Sequence, residues 1–183
     1  MIQWKQHPAV VALSRGEVIA YPTEAVWGLG CDPFSFDAVA QILAVKQRPV
    51  EKGLILVASS LLQLGSLLES LEPLQIARLE QKTVRPTTWL IPHFNKIPAW
   101  ITGGHDTVAI RLSKHPIVVN LCDAFGGMLV STSANPAGLK PAATETEARA
   151  YFSGKVSHYV QGEIGESEQP SDIIDLVSGK QFR

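Results

Sequence analysis

The chain has 183 residues, of which 45% are hydrophobic and 18% charged, and its formal net charge is -1. That length suits one domain with a sizeable core, and the near-neutral charge excludes a generally basic nucleic-acid coat, so any polyanion surface must be a local patch. No uncharged run approaches the roughly eighteen residues of a membrane helix, and no linker, repeat or low-complexity tract divides the chain, so residues 1–183 read as a single domain with no membrane association. The opening MIQWKQHPAVVALSRGE lacks an apolar core ending in a small-residue cleavage site, which predicts a cytoplasmic protein. Cys31 and Cys122 stand far apart and in no CxxC pattern, as reduced core thiols do. The five histidines show neither HxxxH nor HExxH spacing, so no protein metal site is expected.

In chain order, Val10, Val11 and Leu13 have helical spacing within His7 to Ser14, and Gly16 stops the helix. Val18 to Tyr21 predicts a short apolar strand ended by Pro22, which puts Thr23 and Glu24 at a strand's carboxyl end, where open α/β sheets bind ligands. Gly28 and Gly30 supply the first two spacings of GxGxxG, but the third position is Pro33, and no GxxxxGK[ST] occurs, so neither familiar glycine loop holds phosphate here. Ser35 caps a helix carrying Phe36, Val39, Ile42 and Leu43, which delivers Lys46 to the stretch KQRPVEKGLIL. There Lys46, Arg48 and Lys52 fall within seven positions, and Pro49 keeps Arg48 out of helical geometry. Leu54 to Val57 then reads as a fully buried strand. Cations at the mouth of a buried strand point to a phosphate site, against the alternative of a solvated surface loop.

The leucine-rich segments Ser60 to Ser70 and Leu74 to Lys82 predict packing helices without chemistry. A threonine pair opens the strand Thr87 to Ile91, and the strand Thr107 to Leu112 carries Arg111 near its end, where it needs an anionic partner, either structural or ligand. A helix over His115 to Phe125 and a strand over Met128 to Val130 lead into STSANPAG, read as a donor-rich turn around Ser131, Thr132, Ser133, Asn135 and Gly138 that suits phosphate or carboxylate oxygens. The absence of a GxSxG elbow disfavours a serine hydrolase. A helix over Glu145 to Phe152, a strand over His158 to Val160, an acidic flexible loop from Glu163 to Pro170 and the strand PSDIIDLV complete the sheet.

Taken together, YPTEAVWGLG, KQRPVEKGL, RPTTWLIP, AIRLSKHP, STSANPAG and PSDIID, in this order, resemble the motifs of the TsaC/YrdC family across most of the chain. The resemblance implies an α/β fold, with a twisted mixed open sheet and flanking helices around a large basic concave cavity. It also implies threonylcarbamoyl-AMP synthesis from L-threonine, bicarbonate and ATP with Mg2+, releasing pyrophosphate, for t6A modification of tRNA through a downstream threonylcarbamoyl-transfer machinery. Carried over by motif, Thr23, Arg111 and Ser171 belong to the threonine end. Arg48, Lys52, Thr88, Ser131, Ser133 and Arg183 belong to the ATP end, with Lys46 and Arg48 as the catalytic cations. Four positions depart from the family pattern: Arg85 replaces a glycine, Lys52 an asparagine, Val57 a histidine of some relatives, and Asp172 a threonine. The chain reads as the minimal form, without the extra domain of longer relatives.

Two other readings share the basic turn. One is a non-catalytic module that binds RNA through the same patch, which needs no hydroxyl cluster at Ser131 to Ser133. The other is transfer of a carbamoyl group from another donor, as in larger carbamoyltransferases that contain such a module. For the enzyme, RNA affinity should be weak and electrostatic.

Overall fold

The computed structural model describes residues 3–81, 83–167 and 169–183. A 3-10 turn at Trp4–Gln6 leads into α1 (Pro8–Ser14), then the hairpin of β1 (Ile19–Pro22) and β2 (Trp27–Gly30). In α2 (Phe36–Lys46) the Ser35 side chain accepts from Ala38 N, and Gln47 ends the helix in the left-handed region at φ 52. A 3-10 turn at Val50–Lys52 precedes β3 (Ile55–Ala58), followed by a 3-10 segment at Leu61–Ser70 and α3 (Pro73–Glu80). The rest of the chain is β4 (Thr87–Pro92), α4 (Ala99–Thr102), β5 (Thr107–Leu112), α5 (Pro116–Phe125), β6 (Leu129–Ser133), α6 (Glu145–Phe152), β7 (His158–Tyr159) and β8 (Asp172–Asp175). The strands form one open mixed sheet in the order β7-β1-β2-β6-β3-β5-β4-β8, with β1–β7, β3–β5 and β4–β8 parallel and the other neighbours antiparallel. The α/β mixed sheet with flanking helices is therefore present as expected. No helix among the described residues is long and apolar enough to cross a membrane.

Alternation along the strands gives the sheet two unequal faces. On one, Leu56, Trp89, Ile91 and Ile110 pack with Val39 and Ile42 of α2 and Phe152 of α6 in the larger core. Truncating a fully buried residue there, such as Ile42, should cost about 2–5 kcal/mol. On the other, α1 and α5 bring Val10, Leu13, Val118 and Leu121 onto Ile19, Tyr21, Val57 and Leu129. That cover is partial. The ladder Leu129–Val57–Arg111–Thr88–Ile173 crosses five strands, and so does Ser131–Ile55–Ala109–Leu90–Asp175 two residues along. Directly paired residues share a face, so the first ladder runs from the covered apolar patch at Leu129 and Val57 out to Arg111 and Thr88, while the second runs from Ser131 across the aliphatic residues Ile55, Ala109 and Leu90. The site lies on that face.

Several elements differ from expectation for local reasons. WGLG, which is assigned no element from the residues alone and whose glycines complete no phosphate-loop fingerprint, is a strand in which Gly30 serves packing: a Cβ there would lie 2.6 Å from Val130 O and 2.7 Å from the Tyr21 ring. Leu61–Ser70 is not a regular helix, because Gly65 breaks it at φ 55, ψ -130. Ser131, Thr132 and Ser133 lie within β6 rather than in the turn that follows it. The predicted helix end at Lys82 lies outside the described residues, as does Glu168 of the predicted acidic loop. That loop is tied down on the described side, where Gly165 N donates to Thr23 O (2.9 Å) and Ser167 N to Glu24 O (3.0 Å). Cys31 and Cys122 are free and buried, as expected. Burial pushes the Cys122 thiol up to about 12.

Candidate active site

A cavity of about 540 Å3 opens on the uncovered face, walled by the turn after β1, the end of β6, β5 and the segment before β8. Pro22 and Trp27 close a short hairpin whose turn holds itself: Thr23 N and Oγ1 both donate to Val26 O, at 3.1 and 2.8 Å. The Thr23 hydroxyl therefore lines the cavity as an acceptor. Ser131 and Ser133 point into it from β6, and Gly28, opposite Ser133, leaves room between them. Ser171 Oγ and Thr88 Oγ1 form a buried hydrogen bond at 2.7 Å. Sequence motifs assign these two hydroxyls to opposite ends of the ligand pair, whereas the fold makes them neighbours.

Four charged residues line this cavity among the described residues: Arg48, Arg111, Arg183 and Glu24. Arg111 Nη2 lies 3.3 Å from Glu24 Oε2, and Ser113 Oγ donates to Glu24 Oε1 at 2.5 Å. The anionic partner that Arg111 requires is thus partly supplied from within. Arg183 donates from Nε and Nη2 to Ser171 O, at 3.0 and 2.9 Å, which steadies the segment carrying Ser171. Arg48 donates from Nε and Nη2 to Gly53 O, at 3.2 and 2.8 Å, and from Nη2 to Lys52 O at 3.2 Å. Burial holds its guanidinium below the ordinary arginine range.

Arg48, Ile55 and Arg183 also wall an adjoining recess of about 470 Å3, together with Lys52 and Thr88. This recess has apolar walls from Leu54, Leu90, Ile101 and Ala109, and its charged lining residues are Arg48, Lys52 and Arg183. Lys52 is exposed at its rim. Lys46, the other cation of the basic turn, is absent from the lining of both spaces. It lies beneath the walls, 5% exposed, and its Nζ donates to Ser133 O and to Asn135 O (2.7 Å), while its carbonyl accepts from Ala137 N at 2.9 Å. Burial, and then the charge of Arg48, lower its pKa to about 8. Lys46 thus ties the end of α2 to the end of β6.

Two departures from the family pattern pair with each other. Arg85 Nη1 lies 3.2 Å from Asp172 Oδ1, and Nη2 donates to Pro170 O at 3.3 Å. Arg85 has no positive φ, so the backbone there does not require glycine. Val57 is fully buried against Leu129 and the α5 side, outside the site. Ser113 is the site residue that sequence reasoning passed over, and Glu24 is placed at the strand end but given no role. The signal for Glu24 was its place one residue past the strand-end Thr23.

The family profile Sua5_yciO_yrdC, which carries the description "Telomere recombination", matches residues 11–183. The chain belongs to the Sua5/YciO/YrdC family. A threonylcarbamoyl-AMP synthase of Cellvibrio japonicus is 49% identical over 187 residues, covering 100% of this chain and 99% of the relative. One of Acinetobacter baylyi is 51% identical over 182 residues, covering 96% and 94%. Among solved structures of the family, P. abyssi Sua5 complexed with L-threonine aligns with a TM-score of 0.85 at 30% identity, over 94% of this chain and 51% of that one. The chain therefore spans about half the length of that Sua5. E. coli YciO aligns with a TM-score of 0.81 at 23% identity, over 97% of this chain and 85% of that one, which shows the shared fold.

Proposed function

We propose that this chain is a threonylcarbamoyl-AMP synthase that makes threonylcarbamoyl-adenylate and pyrophosphate from L-threonine, bicarbonate and ATP for t6A modification of tRNA. The observation that carries this reading is the shared wall at Arg48. One side of it faces a cavity with Arg111 and the hydroxyls of Thr23, Ser131, Ser133 and Ser171; the other faces an apolar recess rimmed by Lys52. Two anionic substrates can thus meet across one guanidinium. Relatives of the same length at about half identity, named for this activity, support it.

In this reading L-threonine occupies the Thr23, Arg111 and Ser171 side, and the nucleotide occupies the recess with its phosphates toward Arg48, Lys52, Ser131, Ser133 and Arg183. The amine of threonine captures bicarbonate carbon, and the carbamate carboxylate attacks the α-phosphorus while pyrophosphate leaves. Such displacements need positioning and charge neutralisation rather than a protein nucleophile. Arg48 and its neighbours hold the oxygens where charge develops, and Lys46 fixes Ser133 and the turn behind them.

Mg2+ accompanies ATP in this proposal. The protein side offers no cage for it: Glu24 is the one carboxylate on the cavity wall among the described residues, and no group of three metal-ligating side chains is found among those residues. The ion fits as one carried on phosphate oxygens and water, which suits its usual octahedral shell.

The non-catalytic RNA-binding reading is not favoured. Lys46 is buried and Arg48 faces inward, which leaves Lys52 as the exposed cation of the basic turn. RNA affinity should therefore be weak, salt-sensitive and displaced by ATP. The unstable adenylate is passed to the tRNA threonylcarbamoyl-transfer machinery. The reading is tested by pyrophosphate release from ATP with L-threonine, bicarbonate and Mg2+ omitted in turn. Release should require all three, and equal turnover without threonine would refute the assignment.

A further inference from the structure

The proposed chemistry leaves Glu24 unused, although it sits on the cavity wall. Its Oε1 accepts from Ser113 Oγ at 2.5 Å, but its Oε2, 3.3 Å from Arg111 Nη2, accepts no hydrogen bond. Arg111 Nε likewise donates none, and both atoms are buried. A buried acceptor and a buried donor left open within one ion pair are rare in a folded protein, because each forfeits its hydration without a replacement. The residues that carry them, Glu24 and Arg111, line the cavity, so the pair must part slightly for a ligand to reach the two atoms.

The chemistry of the two open atoms limits what that ligand is. A simple carboxylate would satisfy Arg111 and be repelled by Glu24, and a simple amine would do the reverse. An α-amino acid carries an ammonium donor and a carboxylate acceptor on one carbon, so it completes both atoms at once. We infer that Glu24 binds the α-ammonium of the amino-acid substrate while Arg111 takes its carboxylate. The Arg111–Glu24 pair is the arrangement that the zwitterion enters. This rests on the threonine reading above and adds to it the residue that recognises the amine.

The same placement gives the step a direction. Once the ammonium has lost a proton to solvent, the free amine attacks the bicarbonate carbon; a C–N bond forms, a C–O bond breaks and water leaves. The nitrogen that arrived as a cation now carries a carbamate anion. Glu24 holds the first and repels the second, and the remaining cations on the wall are Arg48 and Arg183, on the side shared with the recess. The carbamate is therefore driven toward the nucleotide.

The test compares L-threonine with (R)-3-hydroxybutyrate, which keeps the carboxylate and hydroxyl but lacks the amine, by titration calorimetry on the intact protein. Wild type should prefer threonine at least about tenfold, the scale of one hydrogen bond to a charged group. Glu24→Gln should weaken threonine by about tenfold or more and shrink the preference to under about threefold, while ATP affinity changes less than about threefold. Ser113→Ala, which keeps the carboxylate, should weaken threonine less than Glu24→Gln does. A wild type that binds both ligands equally, or a Glu24→Gln variant that keeps the full preference, overturns the inference and leaves the synthase reading standing. Failure of wild type to bind threonine at all overturns both. If Glu24→Gln does not fold, judged by its melting curve, the wild-type comparison alone decides.

Discussion

Replacing Lys46 by methionine separates a buried structural cation from a catalytic one. In the folded chain the ammonium titrates near 8, because burial and the charge of Arg48 disfavour its protonated form, whereas an unfolded lysine titrates near 10.4. Between those values the unfolded chain holds a proton that the folded chain has lost, so this group makes stability rise with pH; below about 8 both states are protonated and the penalty is constant. Each pH unit in that window is worth at most about 1.4 kcal/mol, a ceiling of about 3 kcal/mol in all. The substitution also strips the donor from Ser133 O and Asn135 O, at about 1–3 kcal/mol for each carbonyl left dry. Denaturant unfolding of wild type and Lys46→Met at about pH 7, 8, 9 and 9.5 measures both terms. The wild type should gain on the variant by up to about 1 kcal/mol per unit above pH 8, on top of a constant offset. Parallel pH profiles would show that Lys46 is not the desolvated cation described here.

Three further substitutions probe the walls. Arg48→Ala should lower turnover by at least about a hundredfold, and Arg48→Lys should recover little, because a point charge does not reproduce the guanidinium that spans both recesses; pyrophosphate release near the wild-type rate in either would place Arg48 outside the chemistry. Arg85→Gly breaks a half-exposed ion pair worth at most about 1 kcal/mol, so ATP affinity should change less than about threefold and stability only slightly; a tenfold loss of ATP affinity by calorimetry would mean that Arg85 contacts phosphate. His7 and His158 pack ring against ring at 5.4 Å, and burial lowers both pKa values, followed by the charge of His158 on His7 and of Arg149 on His158. The unfolded chain then takes up protons first, so stability should fall as pH drops through about 6.5. His7 Nδ1 also accepts from Ala9 N at the start of α1, a bond that protonation removes. His158→Gln should flatten the pH dependence between about 5 and 7 in thermal melting, and an unchanged slope would refute the coupling.

Much of this was legible in the residues because it depends on short-range pattern. The apolar run after Gly53 is a buried strand, Ser35 caps α2, and Thr23 and Glu24 stand where a strand ends at the site. What escaped depends on which strands lie side by side. WGLG is assigned no element from the residues alone, and its place as a strand shows only when Gly30 is seen pressed against Tyr21 and Val130, the latter about a hundred residues away. Lys46, Arg48 and Lys52 look alike as three cations in seven positions. Only the pairing of β2 with β6 reveals that the first faces the carbonyls of Ser133 and Asn135, while the others face the recesses. Arg85 and Asp172 likewise look like two unrelated departures until β4 and β8 bring Thr87 opposite Asp172.

The central claim is that this chain joins threonine, bicarbonate and ATP into one molecule. Incubating the purified protein with ATP, Mg2+, L-threonine and 13C-bicarbonate, then analysing the nucleotides by mass spectrometry without delay, tests it most directly. The account predicts a threonylcarbamoyl-adenylate carrying the isotope label, formed together with pyrophosphate and absent when threonine is left out. Unlabelled AMP or ADP as the nucleotide product, with no adenylate that contains threonine, would contradict it.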